Sequence, residues 1–183
     1  MFEQRRNKLA QRLKEYHLDA CILVPGPNLY YFTGLKLKQS ERLTLALLTK
    51  EGELVLVVPQ VELSKAESVE NSRIFWYSDE QGPRKALLEA KAALGQLGKV
   101  GVEYGHMRVM ELKAVEALAA TSMEDVSGII DSLRMYKDLQ EIEQLQKAVK
   151  IIEESLDATL SYIKAGVSEL EIAAQLEYEM RKR

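Results

Sequence analysis

A chain of 183 residues has the length of one ordinary domain with room for an appendage. Lys+Arg 25 against Asp+Glu 28 leave a formal net charge of −3, which argues against nucleic acid as the principal partner, because such partners select a basic face. The single Cys21 excludes an internal disulfide and a cysteine-rich zinc site and fits a cytoplasmic setting. No apolar run approaches the roughly 20 residues of a membrane span, so no membrane partner is expected.

Phe2, Leu9, Leu13 and Tyr16 recur at helical spacing and predict an opening helix with one core-facing stripe, rather than the apolar centre of a secretory leader. Residues 19–24 read as a buried strand closed by Pro25-Gly26-Pro27, which cannot continue a ladder. Residues 28–34 read as a short aromatic-rich connection. Residues 43–49 and 54–58 read as two strands around a hairpin turn at residues 50–53, with Pro59 ending the second. A short helix over 61–68 and a strand over 73–77, rich in β-formers, follow.

A helix is expected from Pro83 to about Leu94, with Pro at its first turn and Gly95 near its end. Lys99 to Glu103 is a short strand, Met107 to Ala120 a helix, 124–126 a last strand and Gly128 to Met135 another helix. Strands alternating with helices, plus one hairpin, give an α/β fold with a mixed β-sheet flanked by helices. Beyond Tyr136 the pattern changes. Asp138 with Glu141 three residues on is a capping box, and Ile142, Leu145, Val149, Ile152, Leu156, Leu160 and Ile163 step by three and four up to Gly166. Ser168 with Glu171 opens a last helix, whose stripe of Leu170, Ala173, Leu176 and Met180 requires a partner surface. No helix-stopping residue follows it, so a fragment of a longer protein is expected. The expected division is an α/β domain over 1–136 and an incomplete helical domain over 137–183.

Few residues point to chemistry. His17 and His106 lie far apart in different elements, and no His-x-x-x-His, cysteine pair, Gly-x-Ser-x-Gly or phosphate loop is present. His17 reads as a helix terminator and His106 as part of a helix start. The carboxylates of the last two helices read as solvated faces, since acid–base work requires burial or a shared proton. One segment stands apart: Asn28, Tyr30, Tyr31 and Thr33 follow a strand end, where α/β proteins build sites, and mix aromatics with an amide and a hydroxyl. The same residues would also serve to close the sheet and satisfy a turn.

Four runs, in order, resemble the creatinase and Xaa-Pro peptidase family, the metallopeptidases with a pita-bread catalytic domain. They are Leu18-Asp19-Ala20 through Asn28-Leu29-Tyr30-Tyr31-Phe32-Thr33-Gly34, then Leu54 to Pro59, then Gly101-Val102-Glu103, and last Leu133-Arg134-Met135-Tyr136-Lys137-Asp138 through Glu141-Ile142. In the last run Asp138 and Leu139 stand where the family has Ser-Pro, and a helix-capping residue is retained. The resemblance implies a family N-terminal domain followed by the first two helices of the catalytic domain. It also implies, for a full-length parent, two divalent metal ions (Mn or Co) held by two Asp, one His and two Glu that arise downstream of this chain. For the chain itself it implies no catalytic and no metal-binding residue. The expected roles are a homodimer contact and a wall of the cleft that takes proline-containing peptides. Two other readings stay open: a non-catalytic peptide- or protein-binding module of the same architecture, and the front domain of a metal-free creatinase-like amidinohydrolase. On the first reading, the purified chain supplied with manganese hydrolyses no Xaa-Pro dipeptide above a metal-only blank. Activity that tracks the chain through successive chromatographic steps would overturn it.

Overall fold

The computed structural model describes residues 1–118 and 121–183, and the chain divides into two compact units, Met1–Met135 and Tyr136–Arg183. In the first unit six strands form one sheet: β1 (Ala20–Leu23), β2 (Leu45–Thr49), β3 (Leu54–Pro59), β4 (Ser72–Tyr77), β5 (Lys99–Val102) and β6 (Ser122–Asp125). Their spatial order is β4-β3-β2-β1-β5-β6. The β1–β2 and β2–β3 pairs are antiparallel, and β1–β5, β3–β4 and β5–β6 are parallel. The sheet is therefore mixed, with the hairpin at its centre. Every residue of β1, β2 and β3 is buried, because helices cover both faces and leave no solvent side for polar residues to alternate onto.

Strand alternation still decides which core each side chain enters. Cys21, Leu23, Ala46, Leu48, Leu54 and Leu56 meet Leu9 and Leu13 of α1 (Phe2–Glu15), Leu29 and Phe32 of α2 (Pro27–Thr33), and Ile129 and Ile130 of α6 (Ser127–Met135). Ala20, Ile22, Leu45, Leu47, Val55 and Val57 meet Ala86, Leu87 and Ala90 of α4 (Arg84–Leu94) and Ala114 and Val115 of α5 (Val109–Ala117). A 3-10 turn at Gln60–Glu62 leads into α3 (Leu63–Ala66), which with it occupies the expected helix after β3. Gly101 permits a close approach: a Cβ there would lie 2.1 Å from Val126 Cγ1, so only glycine lets β5 pass beneath the start of α6.

Several expectations are corrected. Residues 28–34 are not a connection but most of α2. Pro27 sets φ for the first turn, and Gly34, at φ 78°, ends the helix in the left-handed region. A Cβ at Gly34 would also lie 2.8 Å from the Phe2 ring. Tyr16 leaves the α1 stripe and is exposed, because α1 ends at Glu15. His17 does mark that end, at φ 54°. Pro59 is the last residue of β3 rather than the residue after it. The expected end of the Met107 helix at Ala120 lies outside the described residues.

The two sheet edges differ. β6 is four residues long, with Glu124 and Asp125 exposed on it. β4 is six residues long and carries Ile74, Phe75 and the half-exposed Trp76 in a row.

The second unit is a helix pair, α7 (Leu139–Leu160) and α8 (Glu169–Lys182). Both expected capping boxes form: Asp138 accepts from the Glu141 N–H and Ser168 from the Glu171 N–H. Gly166 does not terminate α7, which ends at Leu160 with Ser161 at its cap. Ser155 and Thr159 are the buried residues of α7, and each hydroxyl donates to the carbonyl one turn back, at 2.6 and 2.8 Å. The protected face of α8 runs through Ile172, Gln175, Leu176 and Glu179 instead of the expected Leu170–Met180 stripe, and Leu170 is 80% exposed. Ile142, Leu145, Val149, Ile152 and Leu156 are likewise exposed along α7.

Asp19 ties three segments of the first unit together. Its carboxylate accepts from Lys50 Nζ at 2.7 Å on the hairpin turn, and from the Gly98 and Lys99 N–H groups at 2.8 and 3.2 Å where β5 begins. The Lys50 ammonium, with those two N–H groups, holds the Asp19 carboxyl below its ordinary value against the opposing effect of burial. A depressed folded-state pKa contributes stability that is present above the ordinary carboxylate range and lost as pH falls through the depressed value. Asp19→Asn should therefore cost about 1–3 kcal/mol near neutral pH, and its deficit against wild type should shrink on acidification. Urea unfolding at a series of pH values measures both.

Candidate functional site

Glu103, directly after β5, is a buried carboxylate, and burying one without partners is costly. Its two oxygens take different donors: Oε2 accepts the Val24 N–H at 3.2 Å and Oε1 accepts Asn28 Nδ2 at 2.6 Å. The Asn28 carbonyl oxygen in turn accepts from Arg134 Nη1 on α6. The amide thus bridges a carboxylate and a guanidinium, offering a donor to one and an acceptor to the other. This relay joins the end of β1, the end of β5, α2 and α6.

The other end of α2 is held by cations. Arg5 Nη1 donates to the Tyr31 carbonyl at 3.1 Å and Arg6 Nη1 to the Phe32 carbonyl at 3.3 Å, with Arg6 Nη2 reaching the Glu70 carbonyl at 3.2 Å. The Tyr31 and Phe32 carbonyls belong to the last turn of a helix, which has no intrahelical donor to offer them and carries the negative end of the dipole. The Arg5 guanidinium also lies 4.2 Å from the centroid of the Tyr31 ring, and that of Arg134 5.8 Å. The Tyr31 hydroxyl donates to the Leu133 carbonyl at 3.2 Å. The Thr33 hydroxyl donates to the Leu29 carbonyl at 2.6 Å and accepts the Leu35 N–H at 3.1 Å.

Asn28, Tyr31 and Thr33 are therefore turned inward and employed in fixing α2. Tyr30 is the one of the four sequence candidates that presents its ring to solvent, at 50% exposure. It lines an open groove of about 540 Å³ whose other walls include Pro25, Gly26 and Pro27 on one side and Lys36 and Lys38 on the other. Both lysines come from residues 34–44, an irregular strap between α2 and β2. Along it Leu35 and Leu37 are buried while Lys36 and Lys38 are exposed. That strict alternation, visible in the sequence, was the signal that could have found the lysines.

The strap is fastened along its length. Gln39 Nε2 donates to the His106 carbonyl at 2.9 Å, and Arg108 Nη2 to the Ser40 carbonyl at 2.8 Å. Arg42 grips Asp79 through two hydrogen bonds of 2.7 and 2.6 Å, and the Tyr77 hydroxyl donates to the Leu43 carbonyl at 2.9 Å. Burial pushes the Tyr77 phenol up to about 12, so it remains a donor across the physiological range. Arg108 is itself fixed by Glu111, which is fully buried. Burial pushes the Glu111 carboxyl up, but hydrogen bonds from Arg108 and from the helix backbone outweigh it and hold the group below its ordinary value. His106 contributes its carbonyl rather than a helix cap; Arg108 and Glu111 form the capping box of α5.

Chemically, the groove offers an aromatic face, a proline-rich floor and two ammonium groups, a set suited to a short peptide with an anionic end. It offers no nucleophile–base pair. Among the described residues no group of three or more His, Cys, Asp or Glu could hold a metal ion. No helix of the described residues is long and apolar enough to cross a membrane.

Comparison with known proteins agrees with this architecture. The family model "Creatinase/Prolidase N-terminal domain" matches residues 5–136. An "Uncharacterized peptidase" of Staphylococcus saprophyticus is 28% identical over 95% of this chain and 49% of its own length. Among solved structures, a recombinant prolidase from Thermococcus sibiricus superimposes with a TM-score of 0.84 at 27% identity, covering 99% of this chain and 50% of the prolidase. A dipeptidase from Pyrococcus horikoshii gives 0.82 at 28% identity, covering 97% and 49%. The chain thus spans about half the length of the curated relatives it matches. With its six-stranded mixed sheet, its flanking helices and a family match across nearly all of the first unit, the chain belongs to the creatinase/prolidase N-terminal domain family.

Proposed function

We propose that this chain is the non-catalytic N-terminal half of a cytoplasmic Xaa-Pro dipeptidase or aminopeptidase that works as a homodimer. In this reading its first unit contributes to assembly and walls the substrate cleft, and Tyr136–Arg183 is the start of the catalytic domain. The observation that carries the reading is the end-to-end likeness of the chain to half of a prolidase at 27% identity and TM-score 0.84, together with the match to the family's N-terminal domain. The groove beside Tyr30 supports the cleft role, because Lys36 and Lys38 would attract the carboxylate of a short peptide while the Tyr30 ring packs on its apolar part. The two divalent metal ions, manganese or cobalt, would be held by residues outside this chain. The described residues do not fit such a site, and no catalytic step is assigned to them.

The gene read past the codon for Arg183 and expressed in full supplies the test. The protein should hydrolyse Xaa-Pro dipeptides when loaded with manganese or cobalt; loss of the reading follows if neither metal supports it. Lys36→Ala/Lys38→Ala should raise KM for the free-acid dipeptide by about fivefold with little change in kcat, and the effect should fall away as salt is added. A C-terminally amidated peptide should show no such rise. Asn28→Ala should behave differently from Tyr30→Ala: it strips Glu103 of a donor and costs about 1–3 kcal/mol of unfolding free energy, whereas Tyr30→Ala leaves stability within about 0.5 kcal/mol.

A further inference from the structure

Both walls of the Tyr30 groove are fastened to one short turn. Residues 103–108 run from the end of β5 to the start of α5, and the His106 and Met107 N–H groups close the turn on the Glu103 carbonyl at 3.0 and 2.9 Å. At the start of the turn the Glu103 side chain holds Val24 and Asn28, and with them the Tyr30 side of the groove. At its end the His106 carbonyl accepts from Gln39, and Arg108 donates to the Ser40 carbonyl. The same turn therefore also holds the strap that carries Lys36 and Lys38. Among the described residues neither lysine is in an ion pair, whereas Arg42 and Arg108, which fasten the strap, are both paired.

Arg108 differs from the other ties in what fixes it. Its Nε donates to Glu111 Oε1 at 3.0 Å, its Nη2 donates to the same carboxylate, and that Nη2 also donates to the Ser40 carbonyl at 2.8 Å. A planar guanidinium engaged through Nε and Nη2 has little freedom left to swing. Glu111 is fully buried. Capping α5 does not account for this pair, since a serine or asparagine caps a helix without burying a charge. The remaining ties are looser or further off: the Arg42–Asp79 pair is exposed and screened by solvent, and Tyr77 meets the strap only at Leu43. We infer that Arg108, held by Glu111, is a positioning residue for the groove: it sets where Lys36 and Lys38 stand relative to the Tyr30 ring. Ser40 is two residues from Lys38, so losing that contact frees the segment that bears both ammonium groups. Leu35 and Leu37 still keep its inner side on the core, so the change falls on the order of the lysines and not on the fold.

The inference rests on the reading of this groove as a peptide site and names what places its cations. Arg108→Met/Glu111→Leu removes the tie without changing net charge or leaving a buried carboxylate unpaired. In the 183-residue chain, backbone nitrogen relaxation measured by NMR should give order parameters of about 0.85 at Lys36 and Lys38. In the variant they should fall towards about 0.6 while those of α2 stay unchanged. In the full-length enzyme the same variant should raise KM for a free-acid Xaa-Pro dipeptide about threefold, with kcat nearly unchanged and no rise for the amidated peptide. Added to Lys36→Ala/Lys38→Ala it should raise KM no further, because the groups it places are gone. Arg108→Lys, which keeps the charge but not the fork, should show the rise in smaller measure. Unchanged order parameters, a rise shared by the amidated peptide, or effects that multiply in the combined variant overturn the inference and leave the proposed function standing. A wild type that cleaves no Xaa-Pro peptide overturns the proposed function, and the order parameters alone then decide whether Arg108 places the strap.

Discussion

The buried carboxylate of Glu103 is the constraint around which the first unit is arranged. A charge removed from water must be given hydrogen-bond donors or the fold bears its desolvation. Here the donors come from the Val24 backbone and the Asn28 side chain, so satisfying Glu103 fixes both the last residue before the Pro-Gly-Pro turn and the first turn of α2. Asn28 passes the constraint on to Arg134, which fixes α6. With α1 gripping the opposite end of α2 through Arg5 and Arg6, this seven-residue helix is held at both ends by side chains from elsewhere. A helix so short has little stability of its own. Its position, and hence that of the Tyr30 ring, is set by tertiary contacts.

The strap of residues 34–44 follows the same logic. It has no ladder of its own, yet its carbonyls are met by Arg108 and Tyr77, and Gln39 and Arg42 reach out to His106 and Asp79. Two buried leucines hold its inner side against the core. What remains outward is a pair of lysines on a backbone that has been made rigid, which reduces the conformational entropy lost when a ligand is bound.

How much of this was legible in the sequence depends on how local the cause is. The hairpin, both capping boxes of the helix pair and the order of strands and helices rest on turn chemistry and periodicity within a few residues, and they appear where expected. The helical state of residues 27–33 was not legible, because seven residues with three adjacent aromatics show no clear period, and its stability comes from Glu103 and from α1. The burial of Arg5 and Arg6 was hidden for a related reason. A run such as Glu3-Gln4-Arg5-Arg6 reads as solvated until the carbonyls it serves are known to lie beside it. The candidate segment stands out in the sequence by its composition, but sequence could not divide its residues into those facing inward and the one facing solvent. That division depends on contacts between residues more than a hundred apart, such as Asn28 with Arg134.

The unequal edges of the sheet bear on how many molecules can join. Polymerisation by strand addition needs an adhesive edge at each end of the sheet, so that every arrival leaves a fresh end for the next. Here one end carries carboxylates, and hydrogen bonds from the Ser127 hydroxyl and backbone hold the Asp125 carboxyl below its ordinary value, so its charge persists into mildly acidic solution. A sheet with a single receptive end has a valence of one. Whatever strand it accepts, the chain of additions terminates at once, and a sheet with an aromatic edge strand is thereby kept from seeding fibres.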